Sequence, residues 1–105
     1  MKNTININAN FDQCLKKLDI INDKILIVIN NENKLVGTIT DGDVRRYILQ
    51  KKVNRKISEV MNKNPKYVTN EKKITILKFK KKFHNIIFLP IVDNSKRYIK
   101  YLNLS

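Results

Sequence analysis

The chain has 105 residues and a formal net charge of +13, from 22 Lys and Arg against nine Asp and Glu. That length suits a small globular body that buries roughly 60–65% of its unfolded surface. No apolar run approaches the ~20 residues of a membrane span. The opening M-K-N-T-I-N-I-N has no signal-peptide core. With Cys14 the single cysteine, an intrachain disulfide is excluded. These features predict a cytoplasmic protein with no membrane partner.

The charge is unevenly placed. Residues 1–50 nearly balance at +1, whereas residues 51–105 carry +12. Two causes fit equally: an A/T-rich coding bias toward Lys, Asn and Ile, or a surface that attracts anions.

In chain order, Ile5 and Ile7 alternate with Asn, as in a short half-buried strand. Asn10 and Gln13 have the spacing of a capping box. Phe11, Cys14, Leu15, Leu18 and Ile21 then share one helical stripe, with Cys14 read as core. Ile25 to Ile29 is unbroken and β-branched, which predicts a strand covered on both faces. Asn30 to Lys34 is a polar turn, and Leu35 to Ile39 returns as a strand. Val44, Tyr47 and Ile48 give the next helix its apolar face. A basic linker runs near Lys51 to Lys56, one helical turn over Ile57 to Met61, and a strand over Lys66 to Thr69. A helix over Glu71 to Phe83 follows, then a strand over Ile86 to Leu89, a turn, and a strand over Arg97 to Leu102.

The second series repeats the first. Adding 63 takes Ile5 to Val68, Phe11 to Ile74, Cys14 to Leu77, Val28 to Ile91 and Asn30 to Asp93. A single deletion in the turn is then expected, so that Lys34 meets Lys96. With that offset Ile99 replaces Gly37, Leu102 replaces Thr40 and Ser105 replaces Asp43. The second copy thereby lacks a carboxylate and its closing helix. We expect it to be truncated, with a chain boundary or a partner accounting for the uncovered face.

The most informative stretch is L-V-G-T-I-T-D-G-D-V-R-R-Y-I, residues 35–48. A strand ends at Thr40 and a helix begins, which brings N–H groups, hydroxyls and a carboxylate together. Thr40 and Asp43 fit a capping box. The same helix start can accept an anion, and one carboxylate can accept from both hydroxyls of a ribose diol. Local spacing leaves both readings open.

The chain resembles a tandem pair of cystathionine-β-synthase (CBS) domains, a Bateman module. The resemblance rests on L-V-G-T-I-T-D-G-D-V-R-R, on I-S-E-V-M-N-K-N-P-K-Y-V-T and on L-P-I-V-D-N. It implies an α/β fold of two βαββα-like repeats related by a pseudo-twofold, residues 1–52 and 57–105, the second cut short. It further implies an adenine nucleotide (AMP, ADP or ATP-like) as a regulatory ligand, with no cofactor required. In the family pattern of Gly, Ser/Thr and Asp at three-residue spacing, Gly37, Thr40 and Asp43 match in order. The implied roles are Asp43 on the ribose hydroxyls, Thr40 near phosphate, and Ile39 with the backbone near Thr38 flanking the base. Arg45 or Arg46 would add positive charge. The form of the motif is similar to CBS pairs attached to bacterial sugar-phosphate nucleotidyltransferases and sugar-phosphate isomerases. A nucleotidyltransferase of nucleotide-sugar synthesis, in cis or in trans, is the expected enzyme partner.

Three other readings compete. The first is a purely structural homodimerisation module. The second is nucleic-acid binding through Lys72, Lys73, Lys78, Lys80, Lys81 and Lys82 with Phe79 and Phe83. No recognised nucleic-acid motif accompanies that charge, so a solvated helix face is the simpler expectation. The third is a metal enzyme built on Asp41 and Asp43, for which no nucleophile or further acid is grouped with the pair. His84, the single histidine, has no evident carboxylate partner.

Overall fold

The computed structural model describes residues 3–51, 55–69 and 88–104. They form two compact units, residues 1–65 and 66–105. The expected helix over 71–83, the lysine-rich patch, His84 and Ser105 lie outside the described residues.

The first unit contains strand β1 (Thr4–Asn6), helix α1 (Phe11–Ile20), strands β2 (Ile25–Ile29) and β3 (Leu35–Thr40), helix α2 (Asp41–Leu49) and the single turn α3 (Ile57–Val60). Strand β2 is central, parallel to β1 and antiparallel to β3. Its run Ile25 to Val28 is wholly buried, as an uninterrupted β-branched segment requires. Helix α1 starts at the expected capping box. Asn10 accepts from the Gln13 N–H at 2.8 Å, and the Gln13 side chain accepts from the Asn10 N–H at 3.0 Å. Phe11, Cys14 and Leu18 of α1 pack with Leu26, Val28 and Ile39 of the sheet and with Val44 and Tyr47 of α2. Burial pushes the Cys14 thiol up to about 11, so it behaves as an unreactive core group. Two apolar residues depart from the expected stripes. Leu15 sits at the edge of the α1 face, and Ile48 is 57% exposed on α2.

The chain after α2 returns over the same unit. The Arg55 N–H donates to the Tyr47 hydroxyl, and the Arg55 guanidinium lies 5.4 Å from the centre of the Phe11 ring. Ile57 and Val60 enter the first core. Residues 57–65 therefore belong to the first compact unit, although the sequence repeat opens its second copy at 57. A repeat in sequence and a unit of packing need not share a boundary.

The return also protects the free edge of β3. Asn62 donates its N–H to the Thr38 carbonyl at 2.8 Å and accepts from the Thr38 N–H at 3.2 Å. Gly37 makes this approach possible. A Cβ there would lie 2.5 Å from the Met61 sulfur and 2.8 Å from the Asn62 carbonyl oxygen. Glycine inside a strand commonly marks such a close backbone contact.

The second unit contains strands β4 (Val68–Thr69), β5 (Phe88–Val92) and β6 (Tyr98–Asn103), again with the middle strand parallel to the first and antiparallel to the third. Val68, Leu89 and Ile91 form its core with Leu102 and Leu104 against them. Phe88 and Tyr101 meet edge to face at 5.6 Å.

The two sheets correct the expected alignment. Ile5↔Val28 recurs as Val68↔Ile91, Leu26↔Ile39 as Leu89↔Leu102, and Val28↔Gly37 as Ile91↔Lys100. The displacement of 63 persists to the end of the hairpin, so no residue is deleted in the turn. The reason lies in the turn geometry. Asn30 accepts from the N–H groups of Glu32 and Lys34, and Asp93 accepts from those of Ser95 and Arg97. Asn33 and Lys96 both take the left-handed conformation, with φ of 62° and 67°. Lys34 therefore corresponds to Arg97, Gly37 to Lys100 and Thr40 to Asn103. Ile99 and Leu102 are not the counterparts of Gly37 and Thr40.

The two glycines give opposite expectations. Gly37→Ala should destabilise the first unit by about 1–3 kcal/mol, because the 61–62 backbone must retreat. Gly42→Ala meets only ordinary contacts at 3.6 Å and should stabilise helix α2 by about 0.5–1 kcal/mol. Urea unfolding of the two variants against the parent protein checks both signs.

Candidate functional site

Strand β3 leads into α2 through Thr40, whose extended backbone (φ −117°, ψ 171°) is the ordinary conformation of a helix N-cap. Its hydroxyl accepts from the Asp43 N–H at 3.3 Å. Asp43 answers with Oδ2, which accepts from the Thr40 N–H at 2.9 Å and the Thr40 hydroxyl at 3.1 Å. Oδ1 of the same carboxylate accepts from Nη2 of Arg46, one turn further along α2. The carboxylate is thus gripped on both oxygens. The Asp43 side chain is only 12% exposed, whereas Arg46 is 68% exposed.

The sequence-predicted residues fall into two groups. Thr40, Asp43 and Arg46 form one connected cluster at the start of α2. Asp41 and Gly42 complete the first turn, with Asp41 exposed and its charge complementing the positive helix end. Gly37, Thr38 and Ile39 are consumed by packing. Gly37 admits Met61 and Asn62, and Thr38 has both backbone groups paired to Asn62. The Ile39 side chain has no exposed surface and sits in the core with Leu26 and Cys14. A side chain so placed cannot flank a base, which corrects that expectation for Ile39. Arg45 is exposed.

Two participants were missed in the sequence. Met61 and Asn62 wall the outer edge of β3, and a glycine within a strand was the signal that could have pointed to them. The Asp43–Arg46 pair follows from i, i+3 spacing, although the sequence reading used the arginine only as loose charge.

Chemically, the cluster offers a carboxylate that accepts hydrogen bonds, a hydroxyl that donates or accepts, a guanidinium, and the positive end of a helix. It offers no nucleophile–base pair. Among the described residues there is no group of three or more His, Cys, Asp and Glu able to hold a metal ion. Nor, among them, is any helix long and apolar enough to cross a membrane.

Two units whose described strands share one order and register, the first with a Thr-x-x-Asp helix start directly after β3, define a tandem-repeat module. Residues 3–50 match the family model of the CBS domain. The fold agrees over nearly the whole chain. The CBS domain pair of protein MJ0100, in complex with 5′-methylthioadenosine and S-adenosyl-L-methionine, superposes with a TM-score of 0.79 at 25% identity, covering 96% of this chain and 80% of that one. A CBS domain protein from Pyrobaculum aerophilum complexed with AMP gives a TM-score of 0.76 at 14% identity, over 96% and 79% of the two chains. In sequence, the arabinose 5-phosphate isomerase of Francisella tularensis is 39% identical over 69 residues, 64% of this chain and 21% of that protein. The chain thus spans about a fifth of the length of the curated relatives it matches.

The cap is the measurable part of this geometry. Thr40→Ala removes the acceptor for the Asp43 N–H and should cost about 1 kcal/mol of stability. Thr40→Ser, which keeps the hydroxyl, should restore most of it. Thermal or urea unfolding of the pair reads the difference.

Proposed function

We propose that the chain is a non-catalytic regulatory module that binds an adenine nucleotide and modulates an attached or associated enzyme. The observation that carries this reading is the Thr40–Asp43–Arg46 cluster at the start of α2 within a CBS domain. Asp43 would take the ribose hydroxyls, Thr40 and the α2 N-terminus would approach phosphate, and Arg46 would contribute charge. The ligands named for the MJ0100 and Pyrobaculum proteins all contain adenosine, which supports the ligand class. We propose one repeat to each domain, over residues 1–52 and 57–105.

For the enzyme partner we propose a sugar-phosphate nucleotidyltransferase of cytoplasmic nucleotide-sugar synthesis, fused to the module or bound to it. Similarity to an enzyme acting on arabinose 5-phosphate supports sugar phosphates as the substrate class, and an isomerase of a sugar phosphate is the alternative partner.

A homodimer is part of the proposal, and dimerisation alone is the second reading. A groove of about 340 Å³ runs between α1 and α2, lined by Leu15, Leu18 and Val44 with Asp19, Lys24 and Asp41. Its lining mixes apolar and charged side chains, the surface we propose a second copy covers.

Calorimetric titration with AMP tests the main reading, with light scattering on the same sample reporting its mass. AMP should bind, and Asp43→Ala should weaken it by about 1–3 kcal/mol, the scale of hydrogen bonds to a charged group. A folded protein that gives no heat with AMP, ADP, ATP or S-adenosylmethionine would overturn nucleotide sensing, and a dimeric mass would then leave assembly as the function.

A further inference from the structure

We propose that Met61 is a redox-sensitive site, at which oxidation of the thioether by a peroxide unseats residues 57–62 from the edge of β3. The proposal is independent of nucleotide binding.

Met61 stands where α3 ends. Its N–H donates to the Ile57 carbonyl at 3.0 Å, and the next residue, Asn62, pairs both of its backbone groups with Thr38. The Met61 side chain is partly exposed and rests against the first core. It also lies against Gly37. A Cβ added to that glycine would stand 2.5 Å from the Met61 sulfur and 3.0 Å from its Cγ. The thioether is thus packed to contact beside the two hydrogen bonds that tie this segment to β3.

The other sulfur in this core belongs to Cys14, and it is protected. Cys14 has no exposed surface, and burial pushes its thiol up to about 11, so it stays protonated at neutral pH. Peroxides attack the thiolate, which Cys14 does not supply. A thioether has no proton to lose, so burial gives it no such protection. Met61 is therefore the reactive sulfur packed on the first core.

In the step, a lone pair of the Met61 sulfur takes one oxygen of hydrogen peroxide. The O–O bond breaks, an S–O bond forms, and the second oxygen leaves as water. Sulfur loses two electrons and the peroxide gains them. The product is a polar sulfoxide. Its oxygen cannot point at Gly37, where even a methyl group does not fit. Turned toward the hydrophobic core, it would be a strong acceptor removed from water, which is costly. The remaining direction is solvent, and taking it draws residue 61 off Gly37 and Asn62 off Thr38.

Amide hydrogen exchange of the whole 105-residue protein, before and after hydrogen peroxide, tests this. Peptide mass mapping reads the sulfoxide at Met61, with added free methionine as the reference for reactivity. Met61 should oxidise in the folded protein. The Thr38 and Asn62 amide protons should then exchange roughly tenfold faster, the loss of about one or two hydrogen bonds. Amides paired between β2 and β3 should keep their rates. Methionine sulfoxide reductases for both epimers should restore slow exchange. Met61→Leu, of similar volume, should fold by circular dichroism and lose the response, whereas Met61→Gln should exchange fast without peroxide. The proposal is overturned if Met61 stays reduced until the protein unfolds, if its sulfoxide leaves both amides slow, or if Met61→Leu responds as the parent does.

Discussion

The reciprocal cap between Thr40 and Asp43 is the constraint on which the rest of this site depends. A helix start leaves N–H groups without partners inside the chain. Here the hydroxyl of Thr40 serves the Asp43 N–H, and the carboxylate of Asp43 serves the Thr40 N–H. The exchange fixes the angle at which α2 leaves β3, which seats Val44 and Tyr47 on the first core. It also turns a carboxylate back toward the strand end and holds it 12% exposed, where one oxygen is left to an outer partner. Capping and the proposed ligand recognition would therefore be two uses of one geometry. The carboxylate that closes the helix is already oriented and partly desolvated, so little further ordering is needed to accept a diol.

The returning segment sets the limits of the site. Asn62 pairs with Thr38 on the edge of β3 as an added strand residue would, which occupies that position against another strand. That contact depends on Gly37, so the glycine of the Gly-x-x-Thr-x-x-Asp pattern is accounted for by packing within the unit. Lys100 stands at the corresponding place in β6 and is exposed. Asn103 stands where Thr40 does. The second unit thus shares the strand pairing of the first without its glycine contact.

Features set by neighbours in sequence were readable from sequence. The caps at Asn10–Gln13 and Thr40–Asp43, the buried run of β2 and the turn at Ile57 follow from short spacings, and the structure contains all of them. Features set by distant contacts were not. Similarity of Lys34 to Lys96 suggested a deletion, yet backbone geometry at Asn33 and Lys96 fixes two equal turns. Lys96 occupies a left-handed position that its side chain does nothing to advertise. Gly37 looked like part of a ligand motif because its neighbours Met61 and Asn62 lie far along the chain. The resemblance assigns Ile39 to a base, and its alternation with Thr38 and Thr40 does not say which face is core. Ile48 belongs to an apolar pattern but projects from α2, since Val44 and Tyr47 already fill the space against the sheet.

One carboxylate is proposed to serve both as helix cap and as hook for a ribose. Comparing AMP with 2′,3′-dideoxy-AMP, on the parent protein and on Asp43→Ala, probes that double role most directly. The parent should lose most of its affinity when the two hydroxyls are removed, and the variant, already lacking their acceptor, should scarcely distinguish the two ligands. Equal binding of both ligands to the parent would place the ribose elsewhere and leave Asp43 as a cap alone.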